Sequence, residues 1–105
     1  VEDLTISLLK KQFETNIFGH IELINLFIPY MRKQNEGRIV FNSSVLGLVS
    51  LPYCSAYNAS KFAMEAFASS LRLELINTNI KVSLIEPGPI ESNFNINVLK
   101  HLKKI

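Results

Sequence analysis

Arg38-Ile39-Val40-Phe41-Asn42-Ser43-Ser44 is an apolar, β-prone run that closes on three small polar residues. It reads as a buried strand of the kind parallel sheets use. Upstream, Leu9, Phe13, Ile17, Ile21, Ile24, Ile28 and Met31 recur at three- and four-residue steps. That period predicts one long amphipathic helix over residues 7–34, after a short lead-in over 1–6. Ser7 is placed to cap its start, and Pro29 is expected to loosen its last turns. Asn35-Glu36-Gly37 ends it, with Gly37 available for a left-handed cap.

Downstream of the strand, residues 45–54 read as a loop containing Pro52. A second helix is expected over 55–77, rich in Ala56, Ala59, Ser60, Ala63, Ala66, Ala68, Ser69 and Ser70. Small side chains let a helix approach its neighbours closely. A second strand follows over 80–85, and Pro87-Gly88-Pro89 stops it. The tail over 90–105 reads as partly helical. Strands joined by a long crossover helix run parallel with a right-handed connection. The order helix, strand, helix, strand is that of a layered α/β protein. No internal repeat and no low-complexity segment is visible.

The chain has 105 residues, enough for one domain, and 48% of them are hydrophobic, which fits a packed core rather than a disordered chain. A net charge of +2 is too balanced to imply nucleic acid or membrane binding by field alone. The basic cluster Lys100, Lys103 and Lys104 reads as a solvated helix face. The apolar run around Leu23 to Met31 is broken by Asn25 and Pro29 and is too short to span a bilayer. No signal peptide opens the sequence. A single cysteine, Cys54, excludes an internal disulfide, points to a reducing, cytoplasmic compartment and reads as a packing residue. His20 and His101 have no second ligand at helical spacing, so no metal site is expected.

Tyr57 and Lys61 stand four residues apart on the second helix, hence on one face. An ammonium that close favours a phenolate, which is how a tyrosine becomes a usable acid or base near neutral pH. The spacing alone also fits an ordinary surface pair. In an open parallel sheet, ligands bind beyond the carboxyl ends of the strands. Asn42-Ser43-Ser44 and Glu86-Pro87-Gly88-Pro89 lie at those ends. Ser44 precedes Tyr57 by thirteen positions, a reach that lets the loop fold back over the strand end. By chemistry Ser43 and Ser44 are equal candidates, and either also suits a turn. Asn16, in the middle of the first helix, is a poor helix former and asks for a reason.

Four stretches in this order resemble the short-chain dehydrogenase/reductases of the single-domain branch. They are Asn16-Ile17-Phe18-Gly19, Gly37 to Ser44, Tyr57-Asn58-Ala59-Ser60-Lys61 and Pro87-Gly88-Pro89-Ile90. Ser83 to Pro89 and Ala59 to Glu65 look like aldehyde-reductase and steroid- or retinol-dehydrogenase-like members. The resemblance implies a partial Rossmann-like, doubly wound fold and an NAD(P)-dependent oxidoreductase that interconverts a carbonyl and an alcohol. It implies that Tyr57 exchanges a proton with the substrate, Lys61 favours its phenolate and bonds the nicotinamide ribose, and Ser44, preferred over Ser43 by family spacing, polarises the carbonyl. Asn16 would anchor a water that relays protons from Lys61. Pro87, Gly88 and Ile90 would line the nicotinamide. Ser92 stands where a threonine is usual. NADP is favoured over NAD by resemblance only. A homo-oligomer through helices 7–34 and 55–77 is also implied.

The sequence departs from the family in one large respect. Gly19, Gly37, Gly47 and Gly88 nowhere show the close spacing that cradles a pyrophosphate. Residues 1–105 are therefore expected to be the catalytic portion of a single domain, or a non-catalytic remnant or oligomerisation module of the same ancestry. An epimerase or dehydratase also carries Tyr-x-x-x-Lys, but Asn42-Ser43-Ser44 and Pro87-Gly88 argue against one. Leu48, Val49, Leu51, Pro52 and Tyr53 suggest an apolar pocket wall and a small lipophilic carbonyl or alcohol substrate.

Overall fold

The computed structural model describes residues 1–88. The chain begins with α1 (Ile6–Phe13), a π-helical turn (Glu14–Phe18) and α2 (Gly19–Gln34). Then come β1 (Gly37–Asn42), a 3-10 turn (Val45–Gly47), α3 (Ser55–Glu74) and β2 (Ile80–Ile85). The two strands pair in parallel, from Gly37 opposite Ile80 to Asn42 opposite Ile85. The α/β order read from the sequence is the order observed. The expected tail over 90–105, with Ile90, Ser92, the basic cluster and His101, lies outside the described residues.

The first helix starts earlier than expected. Thr5, not Ser7, is the N-cap: its extended backbone frees Oγ1 to accept the Leu8 N–H at 3.1 Å. The single helix expected over 7–34 is interrupted at Asn16, where the Gly19 N–H reaches back five residues to the Glu14 carbonyl. Apolar spacing does not reveal this, because the apolar face continues on both sides of the widened turn. Phe13, Ile21, Ile24, Ile28 and Met31 all pack against the core, with Ile17 inside it. Helix α2 passes through Pro29 and runs on to Gln34.

The left-handed residue that ends α2 is Asn35 (φ 57, ψ 29), not Gly37. Its N–H bonds the Arg32 carbonyl and the Glu36 N–H bonds the Met31 carbonyl, so two orphan acceptors are satisfied. Gly37 instead opens β1, for a different reason. A Cβ there would come within 2.6 Å of the Met31 side chain, so strand and helix meet only because it is absent.

The first strand is shorter than expected: Ser43 and Ser44 lie beyond it. Nor is it buried on both sides. Ile39 and Phe41 of β1 and Ile80 and Val82 of β2 point into a core shared with Met64, Ala68 and Leu75, whereas Val40 and Ile85 are exposed. The helices cover one face of the two strands among the described residues. Helix α3 ends at Glu74 rather than 77. Only part of its small-residue set does the packing, chiefly Ser60 and Ala68.

Asn35→Ala is expected to destabilise the fold by about 1 kcal/mol in urea unfolding, because a Cβ without the asparagine amide disfavours the left-handed region. Asn35→Gly should be neutral or stabilising.

Candidate active site

The carboxyl ends of the two strands are stitched together beyond the sheet. The Ser43 N–H bonds the Ile85 carbonyl at 2.8 Å and the Val45 N–H bonds the Pro87 carbonyl at 3.1 Å. These bonds place Asn42-Ser43-Ser44 alongside Glu86-Pro87-Gly88. Helix α3 starts on the same side, so its first turns supply the side chains that face the strand ends.

Lys61 is the buried charge of this region, only 8% exposed. Its Nζ donates to the Asn42 carbonyl at 2.9 Å and lies 5.5 Å from the centroid of the Tyr57 ring. Burial strips water from the ammonium and holds its pKa below the usual lysine range. The tyrosine and lysine therefore share one helical face and touch, as their spacing requires.

The two serines have different tasks. Ser43 Oγ donates to Glu65 Oε1 at 2.9 Å. Ser44 Oγ accepts the Leu46 N–H at 3.1 Å and caps the 3-10 turn. Capping uses Ser44 as an acceptor, and its hydroxyl hydrogen is a separate donor. The bland reading of Ser44 as a turn residue is thus also met.

Asn16 sits in the π-helical turn, and this is the local reason for its place mid-helix. Its Nδ2 donates to Ser60 Oγ at 2.9 Å, and Ser60 Oγ donates to the Tyr57 carbonyl at 2.8 Å. Ser60 is fully buried, so this chain ties the first helix to the turn that carries the tyrosine. The Asn16 carbonyl accepts from His20 Nδ1 at 2.7 Å. Spacing did not single out Ser60; a hydroxyl one position before the lysine, between Ala59 and Ala63 on a helix with several small residues, was the available signal. Asn58 was missed as well. It donates to the Leu51 carbonyl at 2.9 Å and holds the apolar loop to α3.

That loop exposes Leu48, Val49, Leu51 and Tyr53, and Tyr53 has a left-handed backbone (φ 62). A bulky residue there is strained, which is common beside functional sites. Pro87 and Gly88 follow β2 at the site's edge, and among the described residues none comes within 4 Å of the position a Gly88 Cβ would take. No group of three or more His, Cys, Asp or Glu able to hold a metal occurs among the described residues. No described helix is long and apolar enough to cross a membrane.

A crossover helix that brings a tyrosine and a buried lysine to the ends of two parallel strands defines a Rossmann-like α/β protein. The chain belongs to the short chain dehydrogenase family, whose sequence profile matches residues 1–103. It is 51% identical over 90 residues to the uncharacterized oxidoreductase YbbO of Escherichia coli K12, covering 86% of this chain and 34% of that protein. It is 39% identical over 102 residues to retinol dehydrogenase 8 of Bos taurus, covering 97% of this chain and 33% of that one. A short chain dehydrogenase from Burkholderia cenocepacia, solved in complex with NADP, superimposes with a TM-score of 0.77 at 32% identity, over 86% of this chain and 38% of that one. The chain spans about a third of the length of these relatives.

The lowered Lys61 pKa has a definite linkage sign. The unfolded lysine binds its proton up to 10.5, the folded one only to a lower value, so stability rises with pH between the two. Lys61→Met should remove that rise, measured by urea unfolding across the alkaline range.

Proposed function

We propose that residues 1–105 are the catalytic portion of one NAD(P)-binding domain. The enzyme would interconvert a carbonyl and an alcohol by hydride transfer, with Tyr57 as proton donor and acceptor. The observation that carries this reading is the buried Lys61 ammonium set against the Tyr57 ring at the strand ends.

The residues present suit the nicotinamide end of such a cofactor. A buried ammonium beside a carbonyl is chemically apt for ribose hydroxyls. Lys61, Tyr57, Pro87 and Gly88 would hold it, with Ile90 and Ser92 proposed from resemblance. When bound, the cofactor supplies the hydride chemistry. NADP is proposed over NAD, in line with the NADP complex of the Burkholderia relative. The pyrophosphate cradle would come from outside residues 1–105.

The chain's own residues handle the proton. Ser44 donates its hydroxyl hydrogen to the carbonyl oxygen and stabilises the negative charge that grows there. Tyr57 passes its proton to that oxygen during reduction, or takes one from an alcohol. Lys61 favours the phenolate that remains. Asn16, coupled to this turn through Ser60, anchors the water that carries protons onward to solvent.

The exposed apolar loop supports a small lipophilic carbonyl or alcohol as substrate, and the name of retinol dehydrogenase 8 agrees with that class. An aldehyde reductase is the finer form of the proposal, acting in the cytoplasm. Phe18 at 55% and Phe67 at 44% exposure, on the two helical segments 6–34 and 55–74, support a homo-oligomer built through those helices.

A second reading, a non-catalytic remnant or oligomerisation module, draws on the missing glycine-rich loop. The 105-residue chain alone is expected to show no tight binding of NADPH or NADH when nicotinamide fluorescence is followed; saturable micromolar binding contradicts this. In a full-length enzyme carrying these residues, Tyr57→Phe should abolish turnover with cofactor affinity largely kept. Retained turnover would remove Tyr57 from the proposed role.

A further inference from the structure

Lys61 and Glu65 sit one turn apart on α3, and Asn42 and Ser43 are neighbours where β1 ends. The two pairs meet. Lys61 Nζ donates to the Asn42 carbonyl and Ser43 Oγ donates to Glu65 Oε1, each at 2.9 Å. The proposed chemistry uses Lys61 but gives Ser43 and Glu65 no task. Ser43 is 3% exposed, so its hydroxyl is costly to leave without a partner. The 3-10 turn closes over this bond. A Cβ at Gly47 would stand 2.9 Å from Glu65 Cγ, 3.0 Å from Ser43 Oγ and 3.0 Å from the Lys61 carbonyl oxygen. Both partners of the bond and the backbone of the lysine thus converge on one glycine. Ser44 is the residue that caps this turn.

We infer that Glu65 is a positioning residue, which acts through Ser43 to aim the Ser44 hydroxyl at the substrate carbonyl. The inference rests on the proposed function, which gives Ser44 that role. A hydroxyl has one hydrogen, and Ser43 gives its own to Glu65. Ser44 accepts from the Leu46 N–H and so keeps its hydrogen for a carbonyl oxygen.

Backbone bonds tie this stretch to the end of β2, and its orientation toward α3 is left to side chains. Lys61 alone gives the helix one hold on the strand end, about which the two can turn. Glu65 adds a second hold, from the next turn of the same helix to the next residue of the chain. Two holds fix an angle as well as a distance. Ser44 is the residue that follows them, and α3 carries Tyr57 one turn before Lys61. The hydroxyl donor and the tyrosine are thereby held in one frame.

The test uses a full-length enzyme carrying these residues, with NADPH and whichever of decanal, benzaldehyde and retinal it reduces fastest. The single-turnover rate of NADPH oxidation reads the chemical step, and nicotinamide fluorescence reads cofactor affinity. Ser43→Ala and Glu65→Leu should each lower that rate about tenfold, with the NADPH Kd changed less than about twofold. The double variant should lose no more than either single one. Glu65→Gln keeps an oxygen that accepts from Ser43 and should recover most of the rate. In a Ser44→Ala background Glu65→Leu should have no further effect, because the hydroxyl it aims is gone; a merely structural loss would persist there. Should Glu65→Leu not fold, Ser43→Ala takes its place in that background. Additive losses, full-rate single variants, a Glu65→Gln enzyme as slow as Glu65→Leu, or an undiminished effect in Ser44→Ala overturn the inference while the proposed function stands. If the wild type oxidises NADPH with none of the three carbonyls, the proposed function fails and the inference falls with it.

Discussion

A buried ammonium bonded to the carbonyl at the end of β1 is the contact on which the site depends. Lys61 gives up water to reach Asn42, and an unpaired charge in that position would be costly. The bond therefore sets the height of α3 against the sheet. It also sets the direction of the lysine, which brings the ammonium over the Tyr57 ring. The same burial that lowers the lysine pKa leaves its charge little screened by water. Burying this charge costs stability, and charges so perturbed cluster at functional sites.

The first helical segment is bent to the same purpose. A π-helical turn is rarer and less well bonded than an α-helical one, and it persists where surrounding contacts support it. Here the support is Asn16, whose amide reaches the fully buried Ser60 and through it the backbone of Tyr57. The widened turn and the tyrosine are thus parts of one polar chain inside an otherwise apolar interface. Ile17, buried next to Asn16, anchors that interface from the apolar side.

Much of the architecture was legible in the chain. Ile39, Val40 and Phe41 announced a strand, and the spacing of Phe13, Ile17, Ile21 and Ile24 announced a helical face. Tyr57 and Lys61 announced a shared helical surface, because these periods follow from backbone geometry alone. Caps were less legible. Thr5 and Ser7 are both competent N-caps, and Asn35 and Gly37 both suit an end, so competing local options were decided by which register buries the apolar face. The burial of β1 was misread for a related reason: an apolar run does not say how many of its sides are covered.

The sequence by itself determined the order of elements, the parallel pairing expected of a crossover helix and the family, because periodicity and fixed motif spacing are local properties. Only the tertiary structure decided that Ser43 serves Glu65 while Ser44 caps a turn. Only it placed Ser60 behind the tyrosine, within reach of Asn16. Ser43 and Glu65 lie 22 residues apart and Asn16 and Ser60 44 apart, and which hydroxyl meets which partner depends on how far α3 slides along the strand ends. No spacing rule records that distance; the buried bond from Lys61 to Asn42 sets it.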